Sequence, residues 1–210
     1  MTMTRLSFLA AAAFVAGCST PPDHFHTLRP ATAPASAREA SRVLAIGPVT
    51  VPASLARDEW VIRNGDTSAM VYDHQLWTQD LSADIAQSLA DYLDRPAPLR
   101  LRVQVLRFDS MLSPAAAVSD QVRWTLECLP SDTEAGTVDA GRYRLVRTAV
   151  RDAAGPAPAG NASIEASQQP FDSVARAHSE TLRLVSEDVA AALRASVAER
   201  AQACVSSHSK

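Results

Sequence analysis

The residues with the clearest chemistry lie near the start of the chain, where a cysteine ends a short run of small and apolar residues. The tetrapeptide is Val15-Ala16-Gly17-Cys18. It matches the bacterial lipobox, in which the thiol accepts a diacylglycerol and a peptidase cuts just before the cysteine. Cys18 then becomes the mature N-terminus and takes an N-acyl chain on its freed amine. Anchoring by several acyl chains is stable, whereas a single chain binds a membrane only marginally.

The residues before Cys18 have the organisation of an export signal. Arg5 is the first charge, and an apolar run from Leu6 to Val15 follows it. This run is shorter than the roughly 20 residues of a transmembrane helix, and its flanks are typical of a secretory leader. The alternatives are an ordinary signal peptide with an incidental cysteine, or a buried N-terminal helix. Ser19 favours the periplasmic face of the outer membrane, because enterobacteria retain lipoproteins in the inner membrane with an Asp there.

Two further cysteines, Cys128 and Cys204, remain in a chain that we expect to be exported to an oxidising compartment. A disulfide between them would close a loop of roughly 77 residues and stabilise the fold by about 4.5 kcal/mol on the chain-entropy model. The alternative is that both are unpaired small hydrophobic residues. The cysteine and histidine spacings contain no zinc-binding pattern, so we expect no metal site.

Candidates for catalysis are few. The sequence contains neither a Gly-x-Ser-x-Gly elbow nor a glycine-rich phosphate loop. His24 and His26 lie near the anchor, where solvated histidines are more common than metal ligands, and His178 falls on an apolar helical stripe, which favours a core histidine. A hydrolase would require a cluster of Ser, His and Asp or a metal. We expect no catalytic residue, no enzyme activity and no cofactor beyond the acyl groups on Cys18.

Composition and length favour one domain. The 210-residue chain carries a net charge of −3, and its sequence shows no basic patch of the kind that binds nucleic acid. We expect a cleaved signal peptide at 1–17, a lipidated segment with a short strand and a Pro/Ala-rich linker at 18–41, one α/β domain at 42–200 and a tail at 201–210. A domain of this length can bury a core of its own.

Apolar runs and period-two alternation predict seven strands. An Asn-Gly pair between two short apolar runs predicts a hairpin, and the later strands alternate between apolar and polar residues, which is typical of a sheet with one wet face. The predicted strands are 25–28, 42–51, 60–62, 69–72, 99–106, 121–128 and 142–150.

Period-four spacing predicts two long helices. The first runs from Leu76 to Leu93, with Thr78 or Asp80 as its N-cap, and the second from about Asp172 to Ala198, with Asp172 as its N-cap. Each has a single apolar stripe, so both are expected on one face of the sheet. The predicted fold is α/β (α+β), a two-layer sandwich with a mostly antiparallel or mixed sheet.

Several short motifs follow the lipobox in a specific order. They are a strand at 25–28 that loosely matches aromatic-x-Leu, a Val-x-x-Pro-x-x-Leu segment, a later arginine and a Leu-Trp-x-x-x-Leu helix start. The residues concerned are Pro52, Leu55, Arg63, Leu76, Trp77 and Leu81. This order resembles the ABC-type transport auxiliary lipoproteins, the family of paraquat-inducible protein C. The resemblance implies that the motif residues are structural.

The resemblance also implies partners. Such lipoproteins accompany a periplasmic MCE (mammalian cell entry) protein and an inner-membrane ABC permease and ATPase, which move lipids or other apolar molecules across the envelope. They sit at the outer membrane, can assemble as a ring and dock the end of the MCE conduit, and they bind no nucleic acid. The alternative is a structural or assembly lipoprotein of other outer-membrane or polysaccharide-export machinery.

Overall fold

A computed structural model describes residues 21–28, 44–64, 67–93, 99–112, 116–128, 144–155 and 169–195. The strands are β1 (His24–His26), β2 (Ala45–Thr50), β3 (Glu59–Asn64), β4 (Ser68–Trp77), β5 (Leu99–Met111), β6 (Ala117–Cys128) and β7 (Arg144–Ala154). The α-helices are α1 (Leu81–Tyr92) and α2 (Gln169–Ala195), and a 3-10 turn spans Ala53–Leu55. Within these ranges, no helix combines the length and apolarity that crossing a bilayer requires.

The strands form two sheets. One has the order β1-β4-β3 and the other β2-β5-β6-β7. Pairing is parallel for β1 with β4 and for β2 with β5, and antiparallel elsewhere. The mixed α+β prediction is confirmed. The division into two sheets was not foreseen, because alternation indicates which face of a strand is buried but not which strands pair.

Both helices pack on the four-stranded sheet, as their single stripes predicted. Helix α1 contacts β2, α2 contacts β6 and β7, and the helices contact each other. The alternating residues of β5 supply one side of the core, and burying each large apolar side chain stabilises by about 1.5–3 kcal/mol. The buried residues of β5 and of the α2 stripe include Leu99, Leu101, Val103, Val105, Phe108, Val174, Leu182, Val185, Val189 and Leu193.

Strand β2 contains an irregularity at its Gly-Pro pair. Gly47 has φ of 120°, a backbone conformation that favours glycine, and a cis peptide joins it to Pro48. The pairing of β2 with β5 shifts between Ile46 and Val49. The Gly47-Pro48 pair is therefore a bulge inside the strand.

The predicted start of the first helix was wrong. Leu76 and Trp77 belong to β4, and α1 begins at Leu81. Of the two predicted N-caps, Thr78 and Asp80, the structure has Asp80, whose carboxylate accepts a hydrogen bond from the Ser82 amide. The error arose because Trp77 is buried at the end of a strand, four residues before the buried Leu81, which extends the period-four pattern beyond the helix.

The predicted N-cap of the second helix was also wrong. Helix α2 begins at Gln169, so Asp172 lies in its first turn. The Asp172 carboxylate instead lies 3.2 Å from Nδ1 of His26 in β1. Phe171 beside it joins an aromatic cluster with Trp60 and Trp77, whose ring centroids are 4.3 Å apart. This cluster connects the three-stranded sheet to the start of α2.

Candidate functional site

The predicted lipidation site, Cys18, and the predicted disulfide partner, Cys204, lie outside the described residues. Cys128 ends β6, is half-buried and is disulfide-bonded. Its partner also lies outside the described residues. The pairing of Cys128 with Cys204 therefore stays a prediction.

Three of the six family-motif residues line one cavity. Pro52, Leu55 and Arg63 face a half-open space of about 330 Å³ between the 3-10 turn, the β3–β4 hairpin and the end of β5. Trp77 and Leu81 lie instead in the core. The motif is thus divided between an open cavity and the packed interior.

The charge at this cavity is set by two arginines and one carboxylate. Arg63 Nη1 lies 3.0 Å from Asp109 Oδ2, and Arg107 Nε donates to the same oxygen at 3.0 Å. The hydrogen bond to Asp109 raises the pKa of the Arg107 guanidinium. A single carboxylate therefore faces two permanent cations, and the wall of the cavity carries a net positive charge.

A buried carboxylate holds the N-terminal segment onto the domain. Asp84, in the first turn of α1, is fully buried and accepts a hydrogen bond from the Leu28 amide at 2.8 Å. It also accepts from the Thr27 hydroxyl and from Gln79 Nε2 at 3.0 Å. Ser179 Oγ of α2 donates to the Leu28 carbonyl at 2.7 Å. Residues that follow the predicted anchor closely are therefore fixed to both helices.

His26 is part of the same attachment. Its Nε2 lies 2.7 Å from Gln75 Oε1, its carbonyl accepts from the Thr78 amide at 2.9 Å, and its ring packs edge-on against Trp60. Both of its ring nitrogens therefore have partners within the fold. Among the described residues, no three His, Cys, Asp or Glu side chains are grouped as a metal site would require.

The structure brings together a serine, a histidine and an aspartate that the sequence did not connect. Ser110 Oγ lies 2.7 Å from His178 Nε2, and His178 Nδ1 lies 2.9 Å from Asp120 Oδ2. A neutral imidazole with its proton on Nδ1 satisfies both contacts. The Thr181 hydroxyl donates to the same Asp120 oxygen, and Phe108 stacks on the imidazole at 3.7 Å. The connectivity is that of a nucleophile, a base and an orienting acid.

The surroundings of this cluster, however, suit a structural role. Ser110 is only 2% exposed, although it contributes to the wall of the cavity described above, and His178 and Asp120 are buried. The Ser110 oxygen also accepts a hydrogen bond from Trp60 Nε1 at 3.2 Å. Together these bonds join β3, β5, β6 and α2. The prediction that His178 is a buried, hydrogen-bonded core residue is consistent with this position.

The outer face of the four-stranded sheet concentrates arginines. Register places five of them on the side opposite the helices, together with three carboxylates. The arginines are Arg100, Arg102, Arg107, Arg123 and Arg144, and the carboxylates are Asp109, Glu127 and Asp152. Arg102, Arg123 and Arg144 line a shallow depression of about 370 Å³. We call these three residues the arginine face.

The sequence did not reveal the arginine face, because its members come from three strands. Only strand pairing brings them together: Arg102 lies opposite Thr125, and the Gln104–Arg123 pair lies two positions along the same ladder, on the same face. Arg102 Nη1 lies 3.7 Å from Glu127, and Arg123 Nη1 donates to Gln104 at 3.4 Å. A chain with a net charge of −3 thus presents a positive surface on one side.

The described residues form a mixed α+β domain of two sheets and two helices, and sequence comparison gives its family. The family model of the ABC-type transport auxiliary lipoprotein component matches residues 26–190. The chain belongs to this family, and the resemblance found in the sequence is confirmed. The family is one of lipoproteins that accompany ABC-type transport systems. No curated protein matches the sequence.

Two crystal structures share the fold. One, described as an uncharacterized protein, has a TM-score of 0.55 and 16% identity, and the match covers 82% of this chain and 99% of that chain. The other, protein XCC0632 from Xanthomonas campestris of family DUF330, has a TM-score of 0.50 and 15% identity, with coverage of 80% and 91%. At these identities the likeness concerns the fold alone.

Proposed function

We propose that this protein is a lipid-anchored accessory of an MCE/ABC-type system that moves lipids or other apolar molecules across the bacterial envelope. Its role is to bind its partner in the transport system and hold it in place, without catalysis. The observation that carries this proposal is the family match, which spans the folded domain from β1 into α2. The MCE protein, the permease and ATPase, and assembly as a ring are part of the proposal.

The anchor in this proposal is the acylated Cys18, at the periplasmic face of the outer membrane. The attachment of Thr27 and Leu28 to Asp84 and Ser179 supports it, because it leaves only a short tether between Cys18 and the folded domain. Cys18→Ala should leave a folded domain that is released to the periplasm or retained as an uncleaved precursor. Cleaved Cys18→Ala protein that stays in the membrane after salt washing would contradict this anchor.

The docking surface that we propose for the MCE partner is the arginine face. Arginine recognises carboxylates through paired hydrogen bonds, and unlike charges bring partners into register. Arg102, Arg123 and Arg144 are exposed, and Glu127 is the nearest carboxylate among the contacts described for them. The partner should therefore present an acidic surface.

Affinity purification tests both the partner and the surface. The full-length tagged chain, extracted from envelopes in mild detergent, should recover an MCE-type protein with its permease and ATPase. The double variant Arg102→Glu/Arg123→Glu should lose that recovery. Arg176→Glu/Arg194→Glu on α2 is the matched control with the same charge change at exposed arginines, and should keep it. Recovery of polysaccharide-export or outer-membrane assembly proteins, without an MCE protein, would favour the alternative function.

The absence of catalysis is tested at Ser110. A fluorophosphonate labels a serine that is activated by a histidine, because the hydroxyl oxygen attacks phosphorus and fluoride leaves. The enclosed hydroxyl and its bond from Trp60 predict no labelling of the folded protein. Labelling that disappears in Ser110→Ala would show a working nucleophile and overturn the non-catalytic role.

A further inference from the structure

Phe25 is the most exposed large apolar side chain among the described residues, at 63%. It lies in the middle of β1, an outer strand of the three-stranded sheet. Its partner across the sheet is Leu76, which is half-buried and lies on the same face. An isolated exposed apolar residue needs no explanation by itself. A role for Phe25 therefore depends on the contacts that fix its strand and on its distance from the membrane anchor.

Phe25 is exposed on a fixed strand. The next residue, His26, is buried and bonded to Gln75, and Leu28 is fully buried with its amide on Asp84. The strand therefore cannot rotate to bury Phe25 without breaking these contacts. The fold therefore presents the ring outward.

The proposed anchor places Phe25 close to a bilayer. Phe25 follows Cys18 by seven positions in the chain, and a fully extended segment of that length spans at most about 25 Å. The exposed Pro21 and Pro22 favour an extended, semi-rigid path. A strand tied so closely to acyl chains cannot move far from the lipid headgroups.

The acidic residue that most closely precedes Phe25 in the chain is engaged within the fold. Asp23 Oδ1 and His74 Nδ1 lie 2.9 Å apart, so the nearest carboxylate on the tether already has a partner. Phenylalanine is among the apolar residues that interfacial elements bury at the boundary between headgroups and acyl chains.

We infer that Phe25 inserts into the interface of the anchoring bilayer and fixes the orientation of the domain, so that the β1 edge faces the lipid. This inference rests on the proposed lipid anchor at Cys18. The β1 edge therefore contacts the zwitterionic lipids of the bilayer and not another protein. The acyl chains hold the protein at the membrane, and Phe25 sets which side of the domain faces it.

Tryptophan fluorescence gives a direct test, because Trp60, Trp77 and Trp124, the three tryptophans of the chain, are all buried. The lipidated full chain carrying Phe25→Trp is reconstituted into phosphatidylcholine vesicles whose acyl chains are brominated near the headgroup. Its added emission should shift to the blue and be quenched by the bromine. Val150→Trp is the matched control: Val150 is 53% exposed on the outer face of the other sheet, so its emission should stay red and unquenched.

The outcomes separate the inference from the proposed anchor. Mass spectrometry of the same preparation shows whether Cys18 is acylated; an unmodified Cys18 would refute the anchor. If the protein is acylated but the added emission of Phe25→Trp is no more quenched than that of the control, the inference alone is overturned. Added emission that is shielded from aqueous acrylamide yet unquenched by bromine would show that protein covers this surface, and would overturn the inference as well. An unchanged thermal midpoint shows that each variant is folded.

Discussion

Asp84 and Asp120 are carboxylates with almost no exposure, yet they hold different parts of the molecule. Asp84 accepts hydrogen bonds from the segment just after β1 and from Gln79. Asp120 accepts from His178 and Thr181, both on α2, the longest helix described. One carboxylate therefore attaches a short terminal segment, and the other attaches a helix to the middle of the main sheet.

This difference predicts that equal burial does not give equal energetic consequences. A terminal segment can detach while the remaining structure stays folded, so its loss is a local opening. A helix that covers a sheet cannot detach without exposing the core. The effect of removing a carboxylate should therefore decrease from Asp120 to Asp84, and further at carboxylates that water reaches.

The largest effect is expected for Asp120→Ala. The substitution leaves the His178 Nδ1 donor without its acceptor in the interior and creates a small cavity, so the free energy of unfolding should fall by about 3 kcal/mol. Urea denaturation measures this change. Asp120→Asn keeps an acceptor oxygen at the same place and should lose less. Equal losses in the two variants would show that shape, and not the hydrogen bond, matters at this position.

Asp84→Ala should have a smaller and local effect. The Leu28 amide and the Thr27 hydroxyl lose their shared acceptor, and we expect a loss of about 1–2 kcal/mol. Hydrogen exchange should accelerate at residues 24–28 while β5 and β6 keep their protection. The control is Asp91→Ala on the same helix, expected to change stability by about 0.5 kcal/mol or less. Faster exchange throughout the sheet would remove the contrast between Asp84 and Asp120.

Asp80→Ala removes an exposed N-cap and should cost about 1 kcal/mol at neutral pH. The hydrogen bonds from Ser82 hold the pKa of the Asp80 carboxyl below its ordinary value of 3.8. The ionised cap therefore stabilises fully above that value, and its contribution disappears as pH falls through the lowered pKa. The stability difference between wild type and variant should shrink in that acidic range; a constant difference down to the lowest pH would contradict this account.

The smallest effect is expected on the solvent side of α2. Glu187 pairs there with Arg183, which also bonds Glu180, and the bond from Arg183 lowers the pKa of Glu180. Glu187→Gln should cost about 0.5 kcal/mol or less, because water and salt screen an exposed pair. The difference should vanish in high salt. A loss as large as that of Asp84→Ala would show that burial is not the controlling variable.

Sequence periodicity predicted the strands and helices well because it reports burial directly. The alternation predicted at 121–128 continues in the structure as β6, Ala117–Cys128. The single apolar stripe predicted for the second helix is buried in α2, including His178. The local sequence pattern was sufficient to predict a strand or helix wherever one face of that element packs against the core.

The sites depend on contacts that local pattern does not encode. Ser110 and His178 are 68 residues apart in sequence, and Asp84 and Leu28 are 56 apart. No spacing rule connects them, because pairing of strands and packing of helices brings them together. The lipobox is a prediction that sequence alone can make, because its chemistry acts on a contiguous segment, and it stays a prediction because Cys18 lies outside the described residues. The attachment of the N-terminal segment to Asp84 could not be predicted in this way.

Two arginine contacts in β7, the outer strand of the four-stranded sheet, bear on how neighbouring copies of the protein interact. In β7, the Arg147 and Arg151 guanidinium groups fold back to donate to the carbonyls of Val146 and Val150, at 3.2 and 3.0 Å. Backbone carbonyls at an open sheet edge are templates for strand addition by neighbouring molecules. If the proposed anchor confines many copies to one leaflet, they meet far more often than in free solution, and carbonyls of β7 that already accept from arginine are less open to a strand of a neighbouring copy.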